Sequence, residues 1–403
     1  MRVVYIAEWF SHDMGYIENC LPFAVASLGH EVHMITSNAQ VYYNSPFYKQ
    51  SYASYLGDPI VPVATYKHKN ITIHRLPFRH IRGKIVLSGL LSTIKSLKPD
   101  VVHIFEHTTF DTYRIAFLKC LIPFRFYTGN HEVLSVFPLA KNWKTTSLLR
   151  KLYWKTFNQI PGKIISNLID KCYAVTEDAG YIATQFKGVH PNKLVVSTLG
   201  VDTTLFFPIS DEEKQNRKQT NGFSKDDVVC IYTGRFTKEK HPLIVAEAIE
   251  ELAGQGYPFR GLFVGEGEER PEIEKMKYCR VVNFIPYPQL PFYYQFADIG
   301  IWPGQESTSQ LDAVASGLNL ILTSNIKAYA PVETGNKEDT RPKIVSRFYT
   351  HFDKEDLKQQ LLSLLDQEER KRLAALSVQE ISQHYSWERI AERRIKDYLG
   401  GMN

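Results

Sequence analysis

The stretch Ser210-Asp-Glu-Glu-Lys-Gln-Asn-Arg-Lys-Gln219 carries no apolar residue, and shortly after it the chain resumes with the buried-strand pattern Val228-Val-Cys-Ile-Tyr232. Upstream, Arg2–Ala7, Glu31–Thr36, Val101–Phe105, Arg125–Thr128, Cys172–Val175 and Leu194–Thr198 read as short apolar strands separated by helical stretches. Downstream, the same alternation runs through Gly261–Val264, Val281–Phe284, Ile299–Trp302 and Leu320–Thr323. Two rounds of strand–helix alternation on either side of a polar break predict an α/β chain with two doubly wound parallel sheets rather than one barrel. The expected boundaries are 1–205 and 206–380, with a terminal helix in 381–403 whose apolar face carries Ile390, Ala391, Ile395, Tyr398 and Leu399. In the first helix Ile17, Leu21, Ala24, Val25 and Leu28 recur at helical spacing. Pro22 then requires either a cap at Asn19, which puts it in the first turn, or a kink.

A length of 403 residues is too great for one ordinary core and suits two domains. Hydrophobic residues at 44% and charged residues at 23% give the balance of a soluble globular chain. No apolar run reaches the roughly 18 residues of a membrane-spanning helix. Glu8 interrupts the first apolar run too early for a secretory signal. Cysteines 20, 120, 172, 230 and 279 stand singly, which argues against a disulfide framework or a zinc site and fits a reducing cytoplasm. Residues 1–200 hold 22 Lys+Arg against 12 Asp+Glu, or +10, while the remainder holds 26 against 31, or −5. A basic front half points to an anionic partner: nucleic acid, phospholipid headgroups or a phosphorylated substrate.

In parallel α/β sheets ligands gather at the carboxyl ends of the strands, so chemistry is sought in the loops that follow them. Gly234-Arg235-Phe-Thr-Lys-Glu-Lys240 follows such a strand, and its two cations are spaced to reach a diphosphate together. Trp302-Pro-Gly-Gln-Glu306-Ser307-Thr308-Ser309-Gln310-Leu311-Asp312 follows another. Ser307 and Gln310 have capping-box spacing, so a helix beginning there would aim N–H groups at an anion, with Asp312 about one turn in. His131, in Thr128-Gly-Asn-His131-Glu132, is placed to stabilise charge or move a proton. His103, Glu106 and His107 form a similar cluster, and none of these residues has metal-ligand spacing. Met14-Gly15-Tyr-Ile-Glu18 and Gly265-Glu-Gly267 are single or paired glycines without the dinucleotide fingerprint. Two basic-aromatic stretches, from Tyr66 to Lys84 and from Leu149 to Phe157, suit an anionic bilayer surface or an ordinary solvated face, with nucleic acid the least favoured.

Taken in order, these segments resemble the retaining, nucleotide-sugar-dependent glycosyltransferases of family 4. The resemblance rests on Gly15, Leu28-Gly-His30-Glu-Val, Asp100-Val-Val-His103, Leu199-Gly-Val-Asp202, Gly234-Arg235 with Lys240, and Val264-Gly-Glu-Gly267. Ala297-Asp298, Asp312-Ala-Val-Ala-Ser-Gly317 and Tyr385-Ser-Trp387 complete it. It implies the GT-B fold: an acceptor-binding and a nucleotide-sugar-binding Rossmann-like domain facing a central cleft, and a C-terminal helix crossing back to the N-terminal domain. It also implies roles. Arg235 and Lys240 would hold the donor diphosphate, His131 would contact the donor sugar, and Gly15 would let the first loop approach the phosphates. Glu306, Ser307, Thr308, Ser309 and Asp312 would line the donor, with Asp312 where the family has a ribose-binding glutamate. The usual pair of acids eight positions apart is missing; either Glu306 stands in after a two-residue shortening or that contact is lost. His241 follows Lys240 where glycine is common.

The implied activity is sugar transfer from a nucleotide diphosphate sugar to a lipid-linked or glycan acceptor, with retention, in surface polysaccharide or glycolipid synthesis. No metal or other cofactor and no nucleic acid are expected. The expected location is the cytoplasm, with peripheral contact to the anionic inner face of the membrane. The alternatives are a nucleotide-sugar epimerase on the same fold and a nucleotide-sugar-binding subunit that has lost catalysis.

Overall fold

The computed structural model describes the chain except residues 47, 82, 133, 135, 136, 305, 306, 324–345 and 401–403. It divides into two compact units: Met1–His12, Tyr16–Leu199 and Ile390–Asn403 form the first, and Asp13–Gly15 with Gly200–Arg389 the second.

Among its described residues the first unit holds ten strands: β1 Arg2–Ala7, β2 Glu31–Ser37, β3 Ala64–His68, β4 Ile71–Leu76, β5 Phe78–Ile81, β6 Lys84–Leu87, β7 Val101–Ile104, β8 Arg125–Asn130, β9 Lys171–Ala174 and β10 Leu194–Val196. Eight form one sheet in the order β10-β9-β8-β7-β1-β2-β4-β3, parallel throughout except for the antiparallel edge strand β3, while β5 and β6 make a separate hairpin. Val3, Val4, Val101, Val102 and Phe126 are fully buried, as expected of parallel strands covered on both faces. The first helix, Ile17–Ser27, begins after Tyr16 rather than at Asn19, whose side chain instead donates to the Ser11 carbonyl (2.8 Å). Pro22 lies in its second turn, and the helix continues past it to Ser27.

In the stretch from Tyr66 to Lys84, Lys67, Lys69, Arg79 and Lys84 are exposed, and Arg75 is the exception. The stretch forms β3, β4 and β5, and Arg75 is buried, its Nη1 donating to the carbonyls of Phe10 (2.7 Å), Ser37 (3.2 Å) and Ala39 (3.3 Å). That guanidinium is a structural clamp, not a surface charge.

The second unit holds β11 Val228–Thr233, β12 Phe259–Val264, β13 Cys279–Val282, β14 Ile299–Trp302, β15 Asn319–Thr323 and β16 Ser346–Tyr349, all parallel, in the order β13-β12-β11-β14-β15-β16. The polar run that separates the two rounds is itself a helix, Asp211–Thr220, capped by Ser210. Its Lys214 and Lys218, one turn apart, reach Asp298 at 2.9 and 2.6 Å. Two segments far apart in sequence meet here: Val201 pairs with Ser386, its N–H bonding to Tyr385 O (2.8 Å) and its carbonyl accepting from Trp387 N (3.0 Å).

The terminal helix Trp387–Leu399 joins the first unit from Ile390 onward. Ile390, Ala391 and Tyr398 are buried there. The Tyr398 hydroxyl meets His103 Nδ1 (2.6 Å) and Tyr5 OH (3.2 Å), and Asp397 accepts from Lys171 and from Tyr173 OH (2.7 Å). Among the described residues no helix is long and apolar enough to cross a membrane.

This docking is testable by thermal unfolding. Tyr398→Ala empties a fully buried aromatic site and should destabilise the first unit by about 3–5 kcal/mol. Tyr398→Phe, which loses only the hydroxyl bonds, should cost about 1–2 kcal/mol. Equal melting temperatures for the alanine variant and wild type would contradict the packing.

Candidate functional site

In the second unit β12, β11 and β14 are neighbours, so the loops that leave their carboxyl ends crowd together. A Cβ on Gly265 would overlap the Gly234 carbonyl, and one on Gly267 would overlap the backbone of Phe236. The Gly265-Glu-Gly267 pair is therefore a spacing device that lets the loop after β12 brace the Arg235 loop. Thr233 O accepts from Trp302 Nε1 (3.1 Å), and Tyr232 OH donates to Arg235 O (3.0 Å), which fixes where that loop begins.

Between these loops Tyr232, Thr233, Gly234, Lys240, Trp302, Gly304 and Ser307 line a recess of about 40 Å³. The helix Thr308–Ala315 starts at this recess, capped by Ser307 Oγ, which accepts from Ser309 N (3.4 Å) rather than from Gln310. Lys240 is half-buried and Arg235 exposed. Burial, and then the charge of Arg235, hold the Lys240 ammonium below its ordinary range. Two cations that repel each other beside a helix N-terminus form a place where an anion is favoured. His241, in the position where glycine is common, adopts a left-handed conformation (φ 53°) and packs edge-on against Phe352.

Asp312 lies on the helix Thr308–Ala315. It is almost wholly buried, and its Oδ1 accepts from Tyr287 OH (3.3 Å). Burial pushes its carboxyl well above the usual carboxylate range, and the Tyr287 bond only partly opposes this. The Tyr287 ring also lies where a Cβ on Gly15 would be, so Gly15 is required by that ring in this structure. Glu306 lies outside the described residues, as does the side chain of Thr308.

In the first unit the corresponding loops follow β1, β7 and β8, again neighbours in the sheet. His131 is the first residue past β8, with Nδ1 3.6 Å from Glu18 Oε1. Burial raises the Glu18 carboxyl while His131 pulls it down. The hub is a residue that local sequence did not reveal. Lys187, almost fully buried, contacts Glu132 (3.0 Å), Glu106 (3.2 Å) and Asn130 Oδ1 (2.7 Å). Burial works against the charge of Lys187, but the two carboxylates outweigh it and raise its pKa; reciprocally, the Glu106 carboxyl is lowered against its own burial. Glu8, just past β1, is pushed up to about 7, chiefly by burial and also by nearby Glu106.

His103 and His107 are structural. His103 is bound to Tyr398, and His107 to Thr128 Oγ1 (2.9 Å) and the Gly162 carbonyl (3.1 Å), with burial lowering its pKa to about 4. Among the described residues no three His, Cys, Asp or Glu side chains are grouped to hold a metal ion.

Comparison with known proteins matches residues 23–205 to the family described as Glycosyltransferase Family 4 and residues 213–376 to Glycosyl transferases group 1. The chain is 22% identical over 176 residues to a GDP-mannose-dependent alpha-(1-6)-phosphatidylinositol dimannoside mannosyltransferase of Mycobacterium tuberculosis, covering 41% of this chain and 45% of that one. The chain spans about half the length of the curated relatives it matches. Among solved structures, sucrose-phosphate synthase from Thermosynechococcus elongatus is similar at a TM-score of 0.66 and 16% identity, covering 99% of this chain and 98% of that one. An Anabaena protein crystallised with UDP is similar at 0.68 and 13% identity, covering 99% and 100%.

The burial of Asp312 has a pH signature. Its folded pKa lies above the ordinary 3.8, so the stability it allows is complete below that value and is lost as pH rises through the folded pKa. Melting temperature should therefore fall as pH rises above about 4 through this group's contribution. Asp312→Asn, which cannot ionise, should flatten that slope and melt no lower than wild type at neutral pH. An unchanged slope would show that the carboxyl is not held neutral.

Proposed function

Because the chain belongs to the group 1, family 4 glycosyltransferases of the GT-B fold, we propose that it moves a hexose from a nucleotide diphosphate sugar to a lipid-linked or glycan acceptor, with retention. The observation that supports this most directly is the recess shared by Lys240, Gly234 and Ser307, with Arg235 near enough to lower the Lys240 pKa.

In this reading the diphosphate lies across Arg235 and Lys240, with the N–H groups near Ser307, Thr308 and Ser309 completing the anion site. As the sugar–phosphate bond breaks, negative charge grows on the departing nucleoside diphosphate. Cations fixed in advance stabilise that charge without having to reorganise. Binding also places negative charge between the two side chains and so offsets the repulsion that Arg235 exerts on the Lys240 ammonium.

Asp312 is assigned to the ribose of the donor, which requires the Tyr287 ring to give way so that the carboxyl can accept hydroxyls. Gly15 permits that loop to come close to whatever replaces the ring. His131, oriented by Glu18, is assigned to the donor sugar. The Lys187-centred carboxylates behind it would hold the acceptor side of the site in one geometry. The relatives named for phosphatidylinositol dimannoside and for teichuronic acid biosynthesis support an acceptor that is a lipid-linked or polymeric glycan, whereas the relative named for D-inositol 3-phosphate carries a small acceptor in its name.

Arg235→Ala and Lys240→Ala should each lower transfer by about 10²–10³-fold while leaving the melting temperature within a degree or two, since Arg235 is exposed and Lys240 half-buried. Thermal shift against UDP, GDP and ADP and the matching monophosphates checks the donor. A diphosphate at about 100 times its Kd should stabilise the native state by about 2.7 kcal/mol, and monophosphates should do less. If no nucleoside diphosphate raised the melting temperature, or if the Arg235 variant turned over like wild type, the reading would fail.

A further inference from the structure

The helical segment from Leu148 to Leu168 runs as Leu148–Trp154, a wide π turn over Lys155–Gln159, and Ile160–Leu168. Its inner side is anchored. Trp154 Nε1 donates to Phe186 O (2.8 Å) and its ring stacks edge-on with Phe137, while a Cβ on Gly162 would overlap the Lys187 carbonyl and Ile165 enters the core. The outer side is unusual. Leu148 and Leu149 are each 81% exposed, Leu152 59%, Tyr153 49%, Ile160 47% and Ile164 60%. The neighbouring helix Phe110–Lys119 carries the exposed Phe117, with Leu121 just beyond it. So many large apolar side chains held in water on one rigid segment mark an interaction surface.

Charge selects the partner. Between Glu132 and Asp170 the sequence has no acidic residue and six basic ones. Of these, Arg150, Lys155 and Lys163 are exposed on the same segment, and Lys144 is exposed in the turn that precedes it. A protein interface between copies of this chain would set these cations against one another, whereas an anionic lipid surface neutralises them and accepts leucine and tyrosine at the headgroup boundary. We propose that residues 148–164 form a membrane-docking surface that lies on an anionic bilayer, with Leu148, Leu149 and Leu152 entering the acyl boundary and Arg150 and Lys155 meeting headgroups. The surface is independent of donor chemistry, since none of its residues belongs to the recess of the second unit.

Co-sedimentation of the full chain with vesicles tests this without any sugar donor. Vesicles containing about 30% phosphatidylglycerol should bind it and pure phosphatidylcholine should not, and binding should weaken as salt rises from 50 to about 300 mM. Leu149→Ser with Leu152→Ser, and separately Arg150→Glu with Lys155→Glu, should each reduce binding about tenfold or more, because all four side chains are exposed and the fold does not need them. Circular dichroism melts of both variants should overlay wild type, and nucleoside diphosphate binding should be unchanged. Failure of wild type to bind anionic vesicles, or equal binding by the variants, would overturn the proposal. So would a dimer in light scattering that the leucine variant abolishes while vesicle binding persists.

Discussion

A single carboxylate organises the second unit. Asp298, buried at the entrance to β14, accepts from Lys218 Nζ (2.6 Å) and from the Val229 N–H (2.8 Å), while its own N–H bonds to the Val229 carbonyl (2.8 Å). Burial alone would raise its carboxyl, but Lys214 and Lys218 outweigh that and hold it below the usual range. The arrangement ties β11 to β14 and seats the helix Asp211–Thr220 against both. β11 delivers Arg235 and Lys240, and β14 delivers Ser307 and the helix behind it. A charge deep in a core is tolerated only when it is fully satisfied, and removing either partner leaves the other stranded. The anion-favouring recess at one end of the two strands thus depends on an ion pair at the other.

The two units use similar topology for different electrostatics. In the second, Arg235 and Lys240 stand close together with a helix start beside them, a concentration of positive potential. In the first, Glu8, Glu18, Glu106 and Glu132 gather around one buried lysine and His131 at the ends of β1, β7 and β8. Hydroxyl-rich molecules are well served by carboxylates, and phosphates by cations. The end of the second sheet therefore favours an anion, and the end of the first favours groups that donate hydrogen bonds.

Much of the fold was readable because parallel strands covered on both faces are continuous apolar runs. Val101–Ile104 and Ile299–Trp302 announce themselves in that way. β3 to β5 were not readable as strands, since the cations of β3 and β5 do face solvent and only the fold reveals Arg75 of β4 reaching three carbonyls. At the site, the Arg235 and Lys240 loop and the Ser307 cap followed from local spacing. The Lys187 hub did not, because its partner Glu106 is 81 residues away and the surrounding Phe186-Lys187-Gly188 looks like an ordinary helix end. The capped helix also gave no sign of which way Asp312 faces; that depends on Tyr287, brought in from a different loop.

The terminal helix has a consequence for how the protein is made. Tyr5, His103, Lys171 and Tyr173 all wait for Asp397 and Tyr398, which emerge from the ribosome only after every residue of the second unit has been synthesised. Domains usually fold in the order of their translation. The bonds of these four side chains to Asp397 and Tyr398 can therefore close only after the second unit has been synthesised, so translation order and assembly order part company in the first sheet.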